Sequence, residues 1–161
     1  MKLSIIIPVF NEEKTVSQAI KNVLAVEFGN IAKEIIIVED GSTDNSLGEI
    51  KKAIAGKKGV RLITHKKNQG KGASVTSGIE ASTGEYIIIQ DADLEYDPKY
   101  IKELIEPILS KKAKVVYGTR LDRMPHLDKE EKRARFILHY FGNRFLSLVT
   151  SFLYGAWLTD M

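Results

Sequence analysis

The chain of 161 residues contains no cysteine. Disulfides, Cys-ligated zinc, iron–sulfur clusters and a cysteine nucleophile are therefore excluded, and a reducing interior fits this composition best. Long apolar runs are missing too. The uncharged stretch Phe145–Thr159 falls short of the roughly 20 residues that a membrane-spanning helix needs. The opening residues MKLSIIIPVF lack a charged leader and a cleavage site, and read as a strand rather than a signal peptide. No G-x-S-x-G elbow and no H-E-x-x-H occur. The three histidines, His65, His126 and His139, stand apart and read as surface or structural groups. With 43% hydrophobic and 28% charged residues, the chain has an ordinary globular composition, and its length suits one domain with a sizeable core.

Charge is unevenly distributed. Residues 99–144 hold 12 Lys/Arg against 6 Asp/Glu, whereas the rest of the chain holds 12 against 15. The basic stretch is either a solvated face or a surface that meets phosphates of a nucleotide, nucleic acid or anionic lipid.

Short apolar, β-branched runs alternate with stretches of helical periodicity. Leu3–Val9, Glu34–Val38, Val60–Thr64, Tyr86–Gln90 and Val115–Gly118 predict strands covered on both faces. Thr15–Val26, Asp44–Ala55, Lys71–Ala81 and Lys99–Leu109 predict helices, with Asn11, Asp44 and Asp97 as N-caps and Pro98 at a first helical position. Strands alternating with helices imply βαβ units and a mostly parallel sheet, an α/β fold. Leu121–Lys132 reads as a loop. Phe145–Thr159 is either a buried core helix or an interfacial helix flanked by arginines. The ending Thr159-Asp160-Met161, without a polar tail, reads as a chain cut short.

Ligands of open α/β sheets bind beyond the carboxyl ends of the strands. Those ends here are Pro8–Glu12, Glu39–Asp44, Asn68–Gly72, Asp91–Glu95 and Gly118–Arg120. Asp91, Asp93 and Glu95 crowd three carboxylates at alternate positions, which calls for a cation or for solvent. Such hard oxygen ligands suit Mg²⁺ or Mn²⁺ held together with substrate phosphates; the alternative is an acidic turn before Pro98. An EF-hand is excluded by Tyr96 and Lys102. The turn Gly70-Lys71-Gly72 opens a helix and is either a phosphate contact or a plain tight turn. It is not a P-loop, since Gly72 replaces the Ser/Thr, nor a dinucleotide fingerprint, since Val75 replaces the third glycine. Nucleic-acid binding is disfavoured by the acidic functional edge and the lack of a recognition motif.

The segments IIIPVFNEE, VEDGSTDNS, KNQGKGASVTSGIEASTGEYIIIQDADLEYDP and VVYGTR, in this order, resemble family 2 glycosyltransferases. Within that family they look most like the polyprenyl-phosphate sugar transferases, including dolichyl-phosphate mannose synthases. The resemblance runs along nearly the whole chain. It implies a GT-A fold in one catalytic domain, with residues 1–118 as the nucleotide-sugar half and 119–161 as the start of the acceptor half. It also implies inverting transfer of a hexose from a nucleotide-diphosphate sugar, of GDP-mannose or UDP-glucose type, to a polyprenyl phosphate. The chain would then work at the cytoplasmic, inner face of a membrane, in peripheral contact with it; homo-oligomer formation is left open.

The same resemblance assigns roles to residues. Pro8, Phe10, Glu12, Val38 and Asp40 would line the nucleoside pocket, and Asp40 would accept hydrogen bonds from the base. Phe10 stands where many relatives have tyrosine. Lys71 joins the donor site. Asp91-Ala92-Asp93 matches the D-x-D motif, with Asp91 toward ribose or sugar and Asp93 on the metal. Glu95, where mannose synthases often have Gln, would be a second metal ligand. Arg120 would face the phosphates, and Arg133 or Arg135 the lipid phosphate. Asp160 would be a base or an orienting group. An acceptor phosphate, already an anion near neutral pH, scarcely needs that base, whereas a sugar hydroxyl would require it. The remaining alternatives are transfer to a sugar hydroxyl and a nucleotide-sugar-binding module with little activity.

Overall fold

A computed structural model describes residues 1–118 together with Phe145, Leu148 and Val149. The chain forms two compact units, Met1–Glu106 and Pro107–Met161. The first unit contains β1 (Lys2–Val9), α1 (Val16–Ala25), β2 (Ala32–Glu39), α2 (Ser46–Ile54), β3 (Val60–Thr64), α3 (Lys71–Ala81) and β4 (Tyr86–Ile89). A single 3₁₀ turn, Pro98–Tyr100, leads into α4 (Ile101–Leu109).

Among the described residues the sheet has the order β3-β2-β1-β4, with every pair parallel. Ile5, Ile6 and Ile7 are all fully buried, as are Ile36, Ile37 and Val38. Side chains of a strand alternate between faces, so a continuous buried run requires cover on both. One face is covered by α1, α2 and α4, whose Val16, Ile20, Val23, Ile50, Ile101 and Ile105 pack with Leu3, Ile5, Ile7, Ile35 and Ile37. On the other face α3 lies over β1 and β2, above Ile6, Ile36 and Val38. Gly78 permits that approach, because a Cβ there would stand 2.5 Å from Ile6 Cγ2.

Several expectations are corrected. Val115–Gly118 is not a strand; Val115 and Tyr117 are exposed, and among the described residues no neighbouring strand supplies the hydrogen bonds that a strand needs. The strand at β4 is not covered on both faces: Ile87 and Ile89 are exposed, because α3 packs on β1 and β2 instead. Asn11 does not cap α1, whose N-cap is Thr15. Asn11 instead adopts φ 56° and accepts a hydrogen bond from the Thr43 amide at 2.8 Å. Asn45 is the N-cap of α2, and Asp44 acts one residue earlier by accepting from the Ser46 amide at 2.9 Å. Asp97 caps as expected, taking the Lys99 amide at 3.0 Å with Pro98 at the first position of the turn.

At the amino edge of the sheet a buried carboxylate ties four segments together. Glu34 accepts from Lys2 Nζ at 2.8 Å, Ser4 Oγ at 2.6 Å and the Thr83 amide at 2.7 Å, with an Arg61 guanidinium nitrogen at 3.4 Å. This cluster lies at the opposite end of the strands from the residues described next.

Candidate functional site

The chain progresses from β1 to β2 to β3 in one direction and then returns, through α3, to place β4 on the other side of β1. Such a reversal opens a crevice at the carboxyl ends of the strands, since the connections leave it on opposite faces. A cavity of about 250 Å³ lies there, lined by Pro8, Val9, Phe10, Glu12, Asp40, Asn68, Lys71, Ser74, Asp91, Ala92 and Asp93.

The loops after β1 and β2 are clasped together. The Asn11 amide donates to Ser42 Oγ at 3.0 Å, the Glu12 amide to Ser46 Oγ at 2.7 Å and the Glu13 amide to Asp44 Oδ2 at 3.1 Å. The Asn45 amide donates back to Glu13 Oε2 at 3.0 Å. Burial disfavours the Asp44 charge, yet the Ser46 hydroxyl and the surrounding amides hold its carboxyl below the ordinary range. This clasp carries Phe10 and Glu12 to the cavity, with Phe10 42% exposed.

Asp40, at the end of β2, is 2% exposed. Its Oδ1 meets His65 Nδ1 at 2.6 Å and accepts from the Gln69 amide at 3.0 Å; its Oδ2 accepts from the Gly70 amide at 2.8 Å. Burial pushes its carboxyl up, but these donors, His65 first, more than offset burial and leave the group below its ordinary value. The next residue, Gly41, has φ +66°, and a Cβ there would stand 2.5 Å from the backbone of Lys67. Glycine thus lets the loops after β2 and β3 pass in contact.

The third wall follows β4. Gln90 is buried and donates through Nε2 to the carbonyls of Asp91 at 3.3 Å and Tyr96 at 3.0 Å, which staples the turn. Ala92 is 3% exposed and packs into the core, while Asp91 is half-buried and Asp93 exposed. Lys71 Nζ pairs with Asp91 Oδ1 at 2.6 Å. Asp93 Oδ1 accepts from the Glu95 amide at 3.0 Å, and Leu94 between them has φ 65°.

Of the residues chosen from sequence, Pro8, Phe10, Glu12, Asp40, Lys71, Asp91, Ala92 and Asp93 come together around this cavity. Val38 does not; it is fully buried under α3 beside Ile6 and Ile36, one residue before the end of β2. Glu95 is exposed and absent from the lining, because the turn at Leu94 reverses the chain after Asp93. Among the described residues no three of His, Asp and Glu assemble as a metal-holding group. Arg120, Arg133, Arg135 and Asp160 lie outside the described residues. Val9, Asn68 and Ser74 line the cavity without having been singled out. Val9 and Asn68 had a signal, since both lie in the segments Pro8–Glu12 and Asn68–Gly72 at strand ends; Ser74, inside α3, had none. His65, read as isolated, is the partner of Asp40 across 25 positions of sequence.

A hard divalent cation fits what is present. Asp91 and Asp93 offer two carboxylates on one wall, and Mg²⁺ or Mn²⁺ takes one or two protein carboxylates and completes its shell with phosphate oxygens and water.

Comparison with known proteins completes the picture. The dodecaprenyl-phosphate galacturonate synthase of Rhizobium johnstonii is 32% identical over 76% of this chain and 37% of its own length. The undecaprenyl-phosphate 4-deoxy-4-formamido-L-arabinose transferase of Pseudomonas aeruginosa is 37% identical over 65% of this chain and 31% of its own length. Among solved structures, the glucosyl-3-phosphoglycerate synthase of Mycobacterium tuberculosis, in complex with Mn²⁺, uridine diphosphate and glucosyl-3-phosphoglycerate, superposes with a TM-score of 0.56 at 23% identity. That match covers 68% of this chain and 40% of the other, and establishes a shared α/β fold of GT-A type. The chain spans 37–61% of the length of the first curated relatives it matches. The family model described as glycosyl transferase family 2 matches residues 4–158, and the chain belongs to that family.

Proposed function

We propose that the cavity binds a nucleotide-diphosphate sugar together with Mg²⁺ or Mn²⁺, and that residues 1–118 form the donor half of an inverting hexosyltransferase. Residues 119–161 would begin the acceptor half. The observation that carries this reading is the convergence of Asp91, Asp93 and Lys71 with Phe10 and Asp40 at one crevice. Phe10 offers a half-exposed ring for a nucleobase. Asp40 reads the base with the acceptor capacity that His65, Gln69 and Gly70 leave to it. Lys71, 63% exposed, offers its ammonium to phosphate once the pair with Asp91 loosens. Asp93 and Asp91 are the residues to hold the cation, which when bound takes up the charge that builds on the leaving diphosphate. That the Mycobacterium tuberculosis relative of this fold holds Mn²⁺ and uridine diphosphate supports the assignment.

A panel of UDP-, GDP- and dTDP-sugars with and without Mn²⁺ tests it by thermal shift. One nucleotide class should raise the melting temperature only when metal is present, since ligand at about 100 times its Kd contributes about 2.7 kcal/mol to the folded state. No shift with any member of the panel rejects the donor site.

For the acceptor we propose a polyprenyl phosphate, used at the inner, cytoplasmic face of a membrane. Two relatives named for dodecaprenyl- and undecaprenyl-phosphate support this. So does the net positive charge of residues 99–144, which includes Arg120, Arg133 and Arg135 as candidates for the lipid phosphate. Phe145, Leu148 and Val149, helical and exposed, stand three and four positions apart, the spacing of one helix face. No described helix is long and apolar enough to cross a membrane, and an exposed apolar face that follows a basic stretch in the sequence suits contact with its surface. In vesicle flotation the chain should rise with anionic vesicles, stay behind with neutral ones, and lose binding as salt increases. Equal recovery with both vesicle types would reject the anionic-surface reading.

A further inference from the structure

We propose that His65 is a positioning residue for the donor cavity: held between Ser77 of α3 and Asp40 at the end of β2, its imidazole keeps the Asp40 carboxylate on the amides of Gln69 and Gly70 and so sets the loop that brings Asn68 and Lys71 to the cavity wall. The inference deepens the donor-site reading and rests on it for its ligand, but not for the loop.

Both ring nitrogens of His65 are engaged, Nδ1 with Asp40 Oδ1 at 2.6 Å and Nε2 with Ser77 Oγ at 3.0 Å. The His65 and Asp40 side chains are only 9% and 3% exposed. The root of the ring is fixed as well, since the His65 amide donates to the Glu39 carbonyl at 2.8 Å and continues the β2–β3 ladder. An ionised Asp40 is acceptor only, so the shared proton sits on Nδ1, while Nε2 shares a hydrogen bond with the Ser77 hydroxyl. Asp40 thereby receives one side-chain and two main-chain donors, and the two main-chain donors belong to the stretch between Asn68 and Lys71. Residues 65–70 contain no helix or strand of their own. Their placement depends on this carboxylate and on the contact at Gly41. Without His65, a buried carboxylate loses its closest donor, and a group so stranded turns toward other donors or admits water.

Three variants separate positioning from bulk packing. His65→Asn retains an N–H near the Nδ1 position, His65→Gln places its amide near the Nε2 position, and His65→Ala retains neither. Affinity for UDP and GDP in Mn²⁺ is read by calorimetry, and protection of the Gln69 and Gly70 amides by hydrogen exchange without ligand. His65→Ala and His65→Gln should lose at least about tenfold in affinity, the scale of one charge-assisted hydrogen bond, and exchange both amides at least about tenfold faster. His65→Asn should recover both to within about threefold of wild type. Equal loss in all three variants, or affinity and protection unchanged in His65→Ala, overturns the proposal. If the wild-type chain binds neither nucleotide, the donor-site reading falls on its own. The exchange arm then still decides the loop: unchanged protection in His65→Ala rejects it, and loss restored by Asn upholds it.

Discussion

Asp93→Asn should remove the Mn²⁺-dependent part of nucleoside-diphosphate binding, a loss of about 100-fold or more, while leaving the unliganded chain as stable as wild type. The charge pattern of the wall leads to this expectation. Asp91 already has its counter-charge in Lys71 at 2.6 Å, whereas Asp93 takes part in no ion pair among the described residues. Among the described residues its side chain makes one hydrogen bond, accepting from the Glu95 amide at 3.0 Å. Asparagine keeps that Oδ1 acceptor, and with it the turn, but removes the charge. Replacing even an outer residue that merely orients a ligand costs about 10–100-fold in metal affinity, so loss of a direct carboxylate should sit at or above that range. Asp91→Asn should cost less, because it frees Lys71 to meet the diphosphate directly. Calorimetric titrations of UDP and GDP with and without Mn²⁺ measure both effects. Undiminished metal dependence in Asp93→Asn would remove this aspartate from the site.

The second large effect concerns the other end of the sheet. Glu34→Gln should destabilise the fold by about 3 kcal/mol at pH 7 and leave nucleotide affinity unchanged. Burial raises the carboxyl of Glu34, but the hydrogen bonds of Lys2, Ser4 and Thr83 outweigh it and bring the group from 4.5 down to about 2. A depressed carboxyl contributes stability that is complete above the unfolded value of 4.5 and is lost as pH falls toward about 2. At about 1.4 kcal/mol per pH unit of displacement, the contribution is about 3 kcal/mol. Denaturant titrations at a series of pH values check this directly. The gap between wild type and Glu34→Gln should be full at pH 7 and narrow steadily below pH 4.5. Asp40 and Asp44 are also depressed and contribute to the acid limb of both proteins, so the difference curve carries the test. A gap independent of pH would mean that Glu34 acts through packing alone.

Much of the architecture was legible because local chemistry and tertiary demand agree. Val60–Thr64 and Lys71–Ala81 have the boundaries that periodicity predicts. The continuous Ile/Val runs of β1 and β2 announced a sheet covered on both faces, and Ile5, Ile6, Ile7, Ile36 and Ile37 are buried accordingly. The strand-end rule located the segments that meet at the crevice, since a parallel sheet must carry all its carboxyl ends to one edge.

What the sequence by itself determined about this protein is therefore its class, its strand ends and its family: each rests on residue type and order within one segment, or on several such segments in series. What only the tertiary structure decided depends on partners far apart in the chain. Whether an apolar run becomes a strand depends on a neighbour, so Val115–Gly118, with no described strand to pair with, is none. Whether an acidic residue faces a ligand depends on the turn it sits in, so Asp93 reaches the cavity and Glu95 does not. Whether a histidine is isolated depends on where a loop returns. His65 meets Asp40 from 25 positions away and Ser77 from 12, a contact made by the β2–β3 pairing and the packing of α3, and no local pattern records it.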